Sequence, residues 1–386
     1  MFAQQAYATS EAPAQAIASL TKDWPTKPDI VFAFCSSKKE PEALSQALAS
    51  RFDGTPFVGC TTAGEHITGL HLNDAIVLTA LYDTGIDWNV CYIPELQKFG
   101  YPEAEAVASE LAKQAGMELE SMEPETHFCL LFVDGLSKRE EKLTALIADV
   151  LQGIPLAGGS AGDDLCFKQT TVISSEGCGT DAAVLVLGIQ RTTDVSIVKH
   201  QHFKTLPANW VVTKADVRTR TVFELDGYPA AEAYARKLGI SRDELTQEVA
   251  FLNPLIFGCN EELYVRSVQT INEDQSLTFY CAIEEGMVLE LGGHQAMESS
   301  MKDAVVPALS EPHPADFVLV FNCILRALEA KEKGELQALT ELLSSNAKAV
   351  TGFDTYGEQL DGLHINQTLL AVIFRDRKSN TERAEQ

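Results

Sequence analysis

The sequence contains one short pattern three times, and this repetition constrains the fold more than any other feature. "GCTTAGE" at 59–65 is echoed by "AGGSAGD" at 157–163 and by "GFDTYGE" at 352–358. In each copy a hydroxyl residue is followed two positions later by glycine and then by an acid. Since three matching patterns are unlikely to arise by chance, they indicate duplication of one structural unit.

The flanking sequence repeats as well. An apolar run precedes each pattern ("DIVFAFCSS", "HFCLLFVDG", "DFVLVFNCI"), followed by an amphipathic stretch ("EPEALSQALASRF", "REEKLTALIADVL", "GELQALTELLSS"). A further apolar run follows each pattern ("DAIVLTALY", "DAAVLVLGI", "NQTLLAVIF"). Continuous apolar runs favour strands that are covered on both faces. The sequence therefore predicts an α/β fold, with three strand-helix-strand repeats forming mixed sheets flanked by helices.

The texture of the chain changes after residue 190. Short runs such as "SIVKHQHF", "NWVVTKAD" and "SLTFYCAI" are rich in β-branched and aromatic residues and are separated by turn signals. Ser241 and Glu244 have the spacing of a capping box. We expect a more antiparallel α+β portion in the C-terminal half and a boundary near residue 220. The predicted domains are 1–220, with two repeats, and 221–386, with the third repeat and the short antiparallel strands.

Composition excludes some classes of protein. The formal net charge of −25 disfavours a surface that binds nucleic acid. No apolar run reaches the roughly 18 residues of a membrane span, and the first residues lack the features of a signal peptide. Nine cysteines without a CxxC pair are typical of a reducing compartment. We expect a cytoplasmic protein that is not inserted in a membrane.

Several motifs together resemble the FIST sensory family, with its N-terminal and C-terminal modules. They are "CTTAGE", "GGSAGDD", "YVRS", "FYCAIEEG" and "GFDTYGEQLDGLHINQT", and the similarity covers roughly residues 28 to 375. The segment "KHQHF" most resembles the nitric-oxide-sensing branch called NosP. The family resemblance implies a non-enzymatic signal-input protein that binds a small ligand, suggested to be an amino acid. The branch resemblance implies haem iron and control of a partner histidine kinase or a cyclic-di-GMP cyclase or phosphodiesterase.

His200 and His202 are the candidate haem ligands. They form an HxH pair in a predicted strand, where alternation would place both on one face. Imidazole is the usual proximal ligand of haem, and Phe203 and Trp210 would help to line an apolar slot. The alternative is that both histidines are polar residues of an exposed strand.

The three repeated loops are the candidate ligand pocket, because open α/β sheets bind ligands beyond the carboxyl ends of their strands. Their glycines would let backbone approach a ligand. Arg266 would clamp a ligand carboxylate or, alternatively, pair with one of the loop acids and stabilise the fold. The predicted pocket residues from the loops are Thr62, Glu65, Ser160, Asp163, Thr355 and Glu358. The alternative is that each loop is a tight turn stabilised by its own hydroxyl.

Cysteine offers a third hypothesis. Cys35 and Cys60 end two strands of the first repeat, and Cys323 is the near-counterpart of Cys35 in the third. With a further ligand they would hold an iron-sulfur cluster or zinc. The alternative is that each cysteine is a small buried hydrophobic residue. The sequence thus leaves three hypotheses: a haem-iron sensor, a cofactor-free small-ligand module and a cysteine-metal protein.

Overall fold

The computed structural model describes residues 1–259 and 262–377, which divide into two compact units. The second unit consists of residues 201–300 with 364–368, and the first unit comprises the other described residues. Single-turn 3-10 helices occupy Ser37–Lys39, Leu96–Lys98, Leu119–Ser121 and Arg242–Glu244. Within the described residues, none of the helices is both long and apolar enough to cross a membrane.

The first repeat follows the predicted order of elements. Its elements are β1 (Phe2–Ala8), α1 (Pro13–Leu20), β2 (Ile30–Ser36), α2 (Pro41–Arg51), β3 (Phe57–Thr62), β4 (Glu65–Ile67), β5 (Leu70–Leu72) and β6 (Ile76–Tyr82). β2 is buried at every position and pairs with β3 in parallel and with β6 antiparallel. The apolar run therefore forms a central strand, as its continuous hydrophobicity predicts.

The second repeat has the same order. Its elements are β7 (Ile86–Ile93), α3 (Tyr101–Gln114), β8 (His127–Val133), α4 (Glu140–Val150), β9 (Leu156–Ser160), β10 (Val172–Ser174), β11 (Gly177–Gly179) and β12 (Ala183–Gln190). β13 (Thr193–His200) then opens the third repeat. The chain leaves the first unit after His200, so the third repeat is discontinuous.

The second unit is antiparallel. Its elements are β14 (Phe203–Asp216), β15 (Thr221–Leu225), β16 (Tyr228–Pro229), α5 (Ala230–Leu238), α6 (Gln247–Leu252), β17 (Leu255–Cys259), β18 (Glu262–Arg266), β19 (Val268–Ile271), β20 (Leu277–Phe279) and β21 (Val288–His294). Trp210 is fully buried in its core, with its ring centroid 5.5 Å from that of Tyr234. The predicted capping box forms, since the Glu244 carboxylate accepts from the backbone N–H of Ser241 at 2.8 Å.

The remaining chain completes the third repeat. Its elements are α7 (Met297–Ala304), α8 (Val306–Ser310), β22 (Phe317–Cys323), α9 (Ile324–Glu332), α10 (Leu336–Ser344), β23 (Val350–Thr355), β24 (Glu358–Leu360), β25 (Leu363–Ile365) and β26 (Leu369–Asp376). The predicted α/β class, with three mixed sheets and an antiparallel portion in the C-terminal half, is confirmed. The boundary predicted near residue 220 falls between β14 and β15.

The repeats exchange strands cyclically. Within the first unit, the strand orders are β1-β6-β2-β3-β10-β11, β7-β12-β8-β9-β24 and β13-β26-β22-β23-β4-β5. In each sheet one short strand comes from a different repeat and pairs antiparallel with its neighbour. β10 pairs with β3, β24 pairs with β9, and β4 pairs with β23. The repeats are thus interlocked, because each lends a short strand to the next.

Aromatic side chains connect the inner faces of the three sheets. The ring centroids of Phe34 and Phe353 are 4.8 Å apart, and those of Phe132 and Phe321 are 5.6 Å apart. The outer faces of the first two sheets pack against α1 and α2 or against α3 and α4. This arrangement brings the three repeated loops together at one end of the strands.

Candidate functional site

The pairing of the exchanged strands shows which loop residues are equivalent. The exchanged strands β10, β24 and β4 each pair with the end of a strand from another repeat, and their first residues lie opposite Cys60, Gly159 and Phe353. The residues that follow these three are therefore equivalent, and they are Thr61, Ser160 and Asp354. The sequence pattern instead matched Ser160 with Thr62 and Thr355. That alignment is one residue out of register, because the second loop runs on through residues 163–171 before its exchanged strand begins.

The equivalent positions differ in chemistry. The Thr61 hydroxyl accepts from the backbone N–H of Thr171 at 3.0 Å, and the Ser160 hydroxyl accepts from the Gln359 amide at 2.8 Å. In the third repeat the position is occupied by Asp354, whose Oδ1 lies 2.9 Å from Nε2 of His66. Only this copy of the three carries a carboxylate and an imidazole.

A second histidine completes the set. Nε2 of His71 lies 2.7 Å from Oδ2 of Asp354, and Asn322 donates from Nδ2 to Oδ1 at 2.7 Å. Arg326 in turn donates from Nε to the Asn322 side-chain oxygen at 3.2 Å. The carboxylate of Asp354 is therefore fully buried and held by partners on both oxygens.

The electrostatics of this cluster favour an ionised carboxylate. Burial alone would raise the pKa of Asp354, but the neighbouring His71 and His66 hold it well below its usual range. Burial would lower the pKa of His71, but the charge of Asp354 and the hydrogen bond to it outweigh burial and raise that pKa. The cluster thus presents buried anionic and imidazole groups at one point.

A cavity of about 190 Å³ adjoins the cluster. It is lined by Ala63, His71, Asn73, Asp164, Leu165, Ile324, Ala327, Leu328, Lys331, Leu336 and Asp354. Gly64 explains part of its shape, because a Cβ there would lie 2.5 Å from Oδ2 of Asp354 and 3.0 Å from Nε2 of His71. The glycine of the first loop is therefore required for the histidine and the carboxylate to meet.

Comparison with known proteins settles the family. The family model for the FIST N domain matches residues 29–228, and that for the FIST C domain matches residues 230–361. The chain belongs to the FIST family. FIST domains are sensory domains for small ligands.

Other comparisons add little to the FIST assignment. No curated protein matches the chain. A solved structure described as PurLQS from Thermotoga maritima is 10% identical, covering 98% of this chain and 73% of its own, with a TM-score of 0.19. A likeness that weak carries no structural argument.

Two of the FIST loops satisfy their own polar groups. The Thr62 hydroxyl donates to Oε1 of Glu65 at 2.5 Å, and Thr355 donates to Glu358 in the same way. All four side chains are buried. Burial raises the pKa of Glu65 to about 8 despite the hydrogen bond from Thr62.

The second loop is stabilised differently. Oδ1 of Asp163 accepts from the backbone N–H of Phe167 at 2.9 Å and from the Tyr356 phenol at 2.5 Å. Oδ2 accepts from the N–H groups of Lys168 and Gln169 at 2.6 and 3.0 Å. Asp163 therefore organises the chain that follows the loop.

Arg266 belongs to the second unit, whereas the six predicted loop residues belong to the first. It lies at the end of β18, donates from Nη1 to the Val265 carbonyl at 3.3 Å and stands 5.8 Å from the Phe257 ring centroid. Its Nε has no hydrogen-bond partner among the described residues. The predicted pocket residues therefore do not all belong to one unit.

The HxH segment does not form the single strand that was predicted. β13 ends at His200 and β14 begins at Phe203, so Gln201 and His202 lie in a connection. His200 belongs to the first unit and His202 to the second, and both are buried. The alternation argument that placed them on one face therefore does not apply.

Phe203 and Trp210 were expected to line one apolar slot. Phe203 packs with Ile256 and Val265, whereas Trp210 lies in a separate cluster with Tyr234. The two side chains therefore belong to different apolar clusters of the second unit.

The three candidate cysteines are all buried. Cys60 pairs with Phe34 and Cys35 with Thr61, so strand alternation directs the two thiols to opposite faces of one sheet. Burial raises the pKa of both thiols well above the usual range, which disfavours thiolate. Cys323 ends β22 in another sheet. In the described residues no cysteine joins a group of three ligands, and the cysteine-metal hypothesis stays a prediction.

Sequence analysis missed the histidine cluster. His66 and His71 are cross-strand partners in the β4–β5 hairpin around Gly69. The available signals were this symmetric spacing and the acid in "GFDTYGE", where the aligned copies have threonine and glycine. Neither signal shows that the hairpin lies against the third repeat.

Proposed function

We propose that this protein is a sensory protein whose ligand is a small zwitterion, such as an amino acid, bound in the cavity beside Asp354. The observation that supports the proposal is the distribution of charge around the cavity. Lys331 provides a cation, while Asp164 and Asp354 provide anions. A zwitterion offers a carboxylate to the lysine and an ammonium group to the aspartates.

The size of the cavity suits such a ligand. A cavity of about 150 Å³ holds benzene, so the 190 Å³ here accommodates a molecule of similar or slightly larger size. Ile324, Ala327, Leu328 and Leu336 supply an apolar wall. Small-molecule sites commonly combine such walls with a few convergent polar groups.

A thermal-shift screen against an amino-acid panel tests this proposal, because a ligand that binds only the native state stabilises it. The melting temperature is measured for the parent, Lys331→Ala and Leu328→Trp, which fills the cavity. Lys113→Ala, on the exposed face of α3, is the control. We expect a shift in the parent and the control that is lost in the two cavity variants. No shift at saturating concentrations, or equal shifts in all four proteins, would overturn the proposal.

Nitric oxide sensing through haem held by His202 or His200 is the second candidate. The supporting observation is that the buried His202 ring lies 4.2 Å from the Phe203 ring and 5.6 Å from the His294 ring, centroid to centroid. Histidine is the usual proximal ligand of haem iron. Reconstitution with haem should give a Soret band that shifts with nitric oxide and is lost in His202→Ala or His200→Ala. A protein that stays colourless, or variants that bind haem as the parent does, would exclude this candidate.

Signal output to a histidine kinase or cyclic-di-GMP enzyme is part of the proposal. The sensory character of FIST domains supports it. The test is the activity of purified histidine kinases and cyclic-di-GMP enzymes from the same organism, each measured with and without the purified protein. We expect the activity to change when the protein is added and to change again with ligand. Equal activity in every mixture would remove this partner.

A further inference from the structure

The hairpin of the first repeat presents two imidazoles to one carboxylate. His66 and His71 are paired across β4 and β5, and their ring centroids are 4.8 Å apart. Nε2 of His66 lies 2.9 Å from Oδ1 of Asp354, and Nε2 of His71 lies 2.7 Å from Oδ2. The side chains of His66, His71 and Asp354 are only 7%, 8% and 0% exposed.

We infer that His66, His71 and Asp354 form a binding site for a divalent transition-metal ion. Bonds of about 2.0–2.1 Å from nitrogen and oxygen to such an ion place neighbouring ligand atoms roughly 3 Å apart. The three ligand atoms lie within 4.8 Å of one another, so small side-chain rotations bring them around one ion. Two imidazoles and one carboxylate are a donor set suited to iron(II) or zinc.

The other two pairings of exchanged strands have no carboxylate at the position equivalent to Asp354 and no imidazole at the position equivalent to His66. At the two equivalent positions Thr61 and Ser160 make neutral hydrogen bonds, and the counterpart of His66 in the third repeat is Gln359. Neutral groups therefore suffice to join an exchanged strand to its neighbour. The charged set at Asp354 exceeds what this joint requires.

A neighbouring side chain holds the proposed carboxylate ligand in place, and a cavity adjoins the site. Asn322 fixes the carboxylate through Oδ1, and such outer partners orient metal ligands. His71 and Asp354 also line the 190 Å³ cavity, so the remaining coordination positions of an ion would face that space. An ion held by Asp354 would attract the carboxylate of the ligand together with Lys331, and Asp164 would then be the carboxylate left for the ammonium group.

This inference rests on the proposed function for the purpose of the site, but metal binding is measured without any organic ligand. Untagged protein is stripped with a chelator and titrated with cobalt(II), whose visible absorption reports its coordination. We expect one equivalent to bind per chain, with bands typical of nitrogen and oxygen ligands. Zinc should displace the cobalt and raise the melting temperature.

Three variants and a control decide the assignment. Asp354→Ser and His66→Gln introduce the serine and glutamine that join β9 to β24, as Ser160 and Gln359 do there. His71→Gln removes the second imidazole. Each should bind cobalt at least about 100-fold more weakly than the parent, whereas His127→Gln, in the second repeat, should bind normally. Melting curves show whether each variant folds. If Asp354→Ser and His66→Gln do not fold, the cobalt affinity of His71→Gln alone decides the assignment.

Absence of binding by the parent, or variants that bind within about threefold of it, would show that the cluster is only a hydrogen-bonded joint. A parent that binds cobalt but responds to no amino acid would keep the metal site and remove the proposed ligand. A parent that responds to amino acids but binds no cobalt would remove the metal site alone.

Discussion

The phenol of Tyr356 donates a hydrogen bond to Oδ1 of Asp163 at 2.5 Å, although 193 residues separate them in the chain. The same phenol oxygen accepts from the backbone N–H of Leu165 at 2.7 Å. One side chain of the third loop thus satisfies two polar groups of the second loop.

Replacing Tyr356 by phenylalanine should destabilise the protein by about 1–3 kcal/mol, since both hydrogen bonds are lost at a buried site. Urea unfolding followed by tryptophan fluorescence measures this free energy. Tyr7→Phe, at an exposed tyrosine, should change it by less than about 0.5 kcal/mol. Equal stability of the two variants would show that the Tyr356 hydrogen bonds do not stabilise the fold.

Gly59→Ala should destabilise the protein by about 3 kcal/mol or more, because overpacking against backbone cannot relax easily. A Cβ at Gly59 would lie 1.6 Å from the carbonyl oxygen of Ala33 on the neighbouring parallel strand. The control is Gly258→Ala, also in a strand, where a Cβ meets nothing within 4 Å. The two midpoints of urea unfolding should differ clearly, and coinciding midpoints would refute the close approach of β2 and β3.

Asn322→Ala should weaken cobalt binding by about 10–100-fold while the protein remains folded, since outer hydrogen bonds orient metal ligands. Asn322 donates to Oδ1 of Asp354 at 2.7 Å and is not itself one of the three proposed ligands. Cobalt titration compares it with Asn346→Ala, which removes a hydrogen bond to the Leu342 carbonyl instead. If both variants bind cobalt equally well, Asn322 has no role in holding the carboxylate.

Cysteine labelling should follow burial. Iodoacetamide at pH 8, with modified peptides identified by mass spectrometry, should label exposed Cys166 well before buried Cys35, Cys60 and Cys323. Fast labelling of Cys60 in the native protein would contradict the buried strand. Labelling in denaturant provides the control for intrinsic reactivity.

The pH dependence of this labelling has a defined sign. Burial raises the pKa of Cys91 and Cys178 to about 11 each. Below that pKa the thiolate fraction grows tenfold per pH unit, so labelling of these two sites should rise about 100-fold from pH 8 to pH 10. A rise of about tenfold or less across this range, as expected for a thiol with the ordinary pKa near 9, would show that their pKa values are not raised.

Much of the architecture could be predicted from local pattern. The apolar runs gave the central strands, such as β2 and β8, because burial on both faces requires continuous hydrophobicity. The capping box at Ser241 also forms as its spacing predicts. Period and capping are local properties of a chain, which is why the sequence alone carries them.

The candidate site depended on long-range pairing. His71 and Asp354 are 283 residues apart, and they meet because β4 pairs with β23 of another repeat. The long second loop also hid the equivalence of Ser160 with Thr61 rather than Thr62, which only the strand pairing shows. The sequence by itself determined the three repeats and their buried strands. Only the tertiary structure decided which repeat lends its hairpin to which, because hydrophobic periodicity specifies the face that a strand buries and not the neighbour against which it pairs.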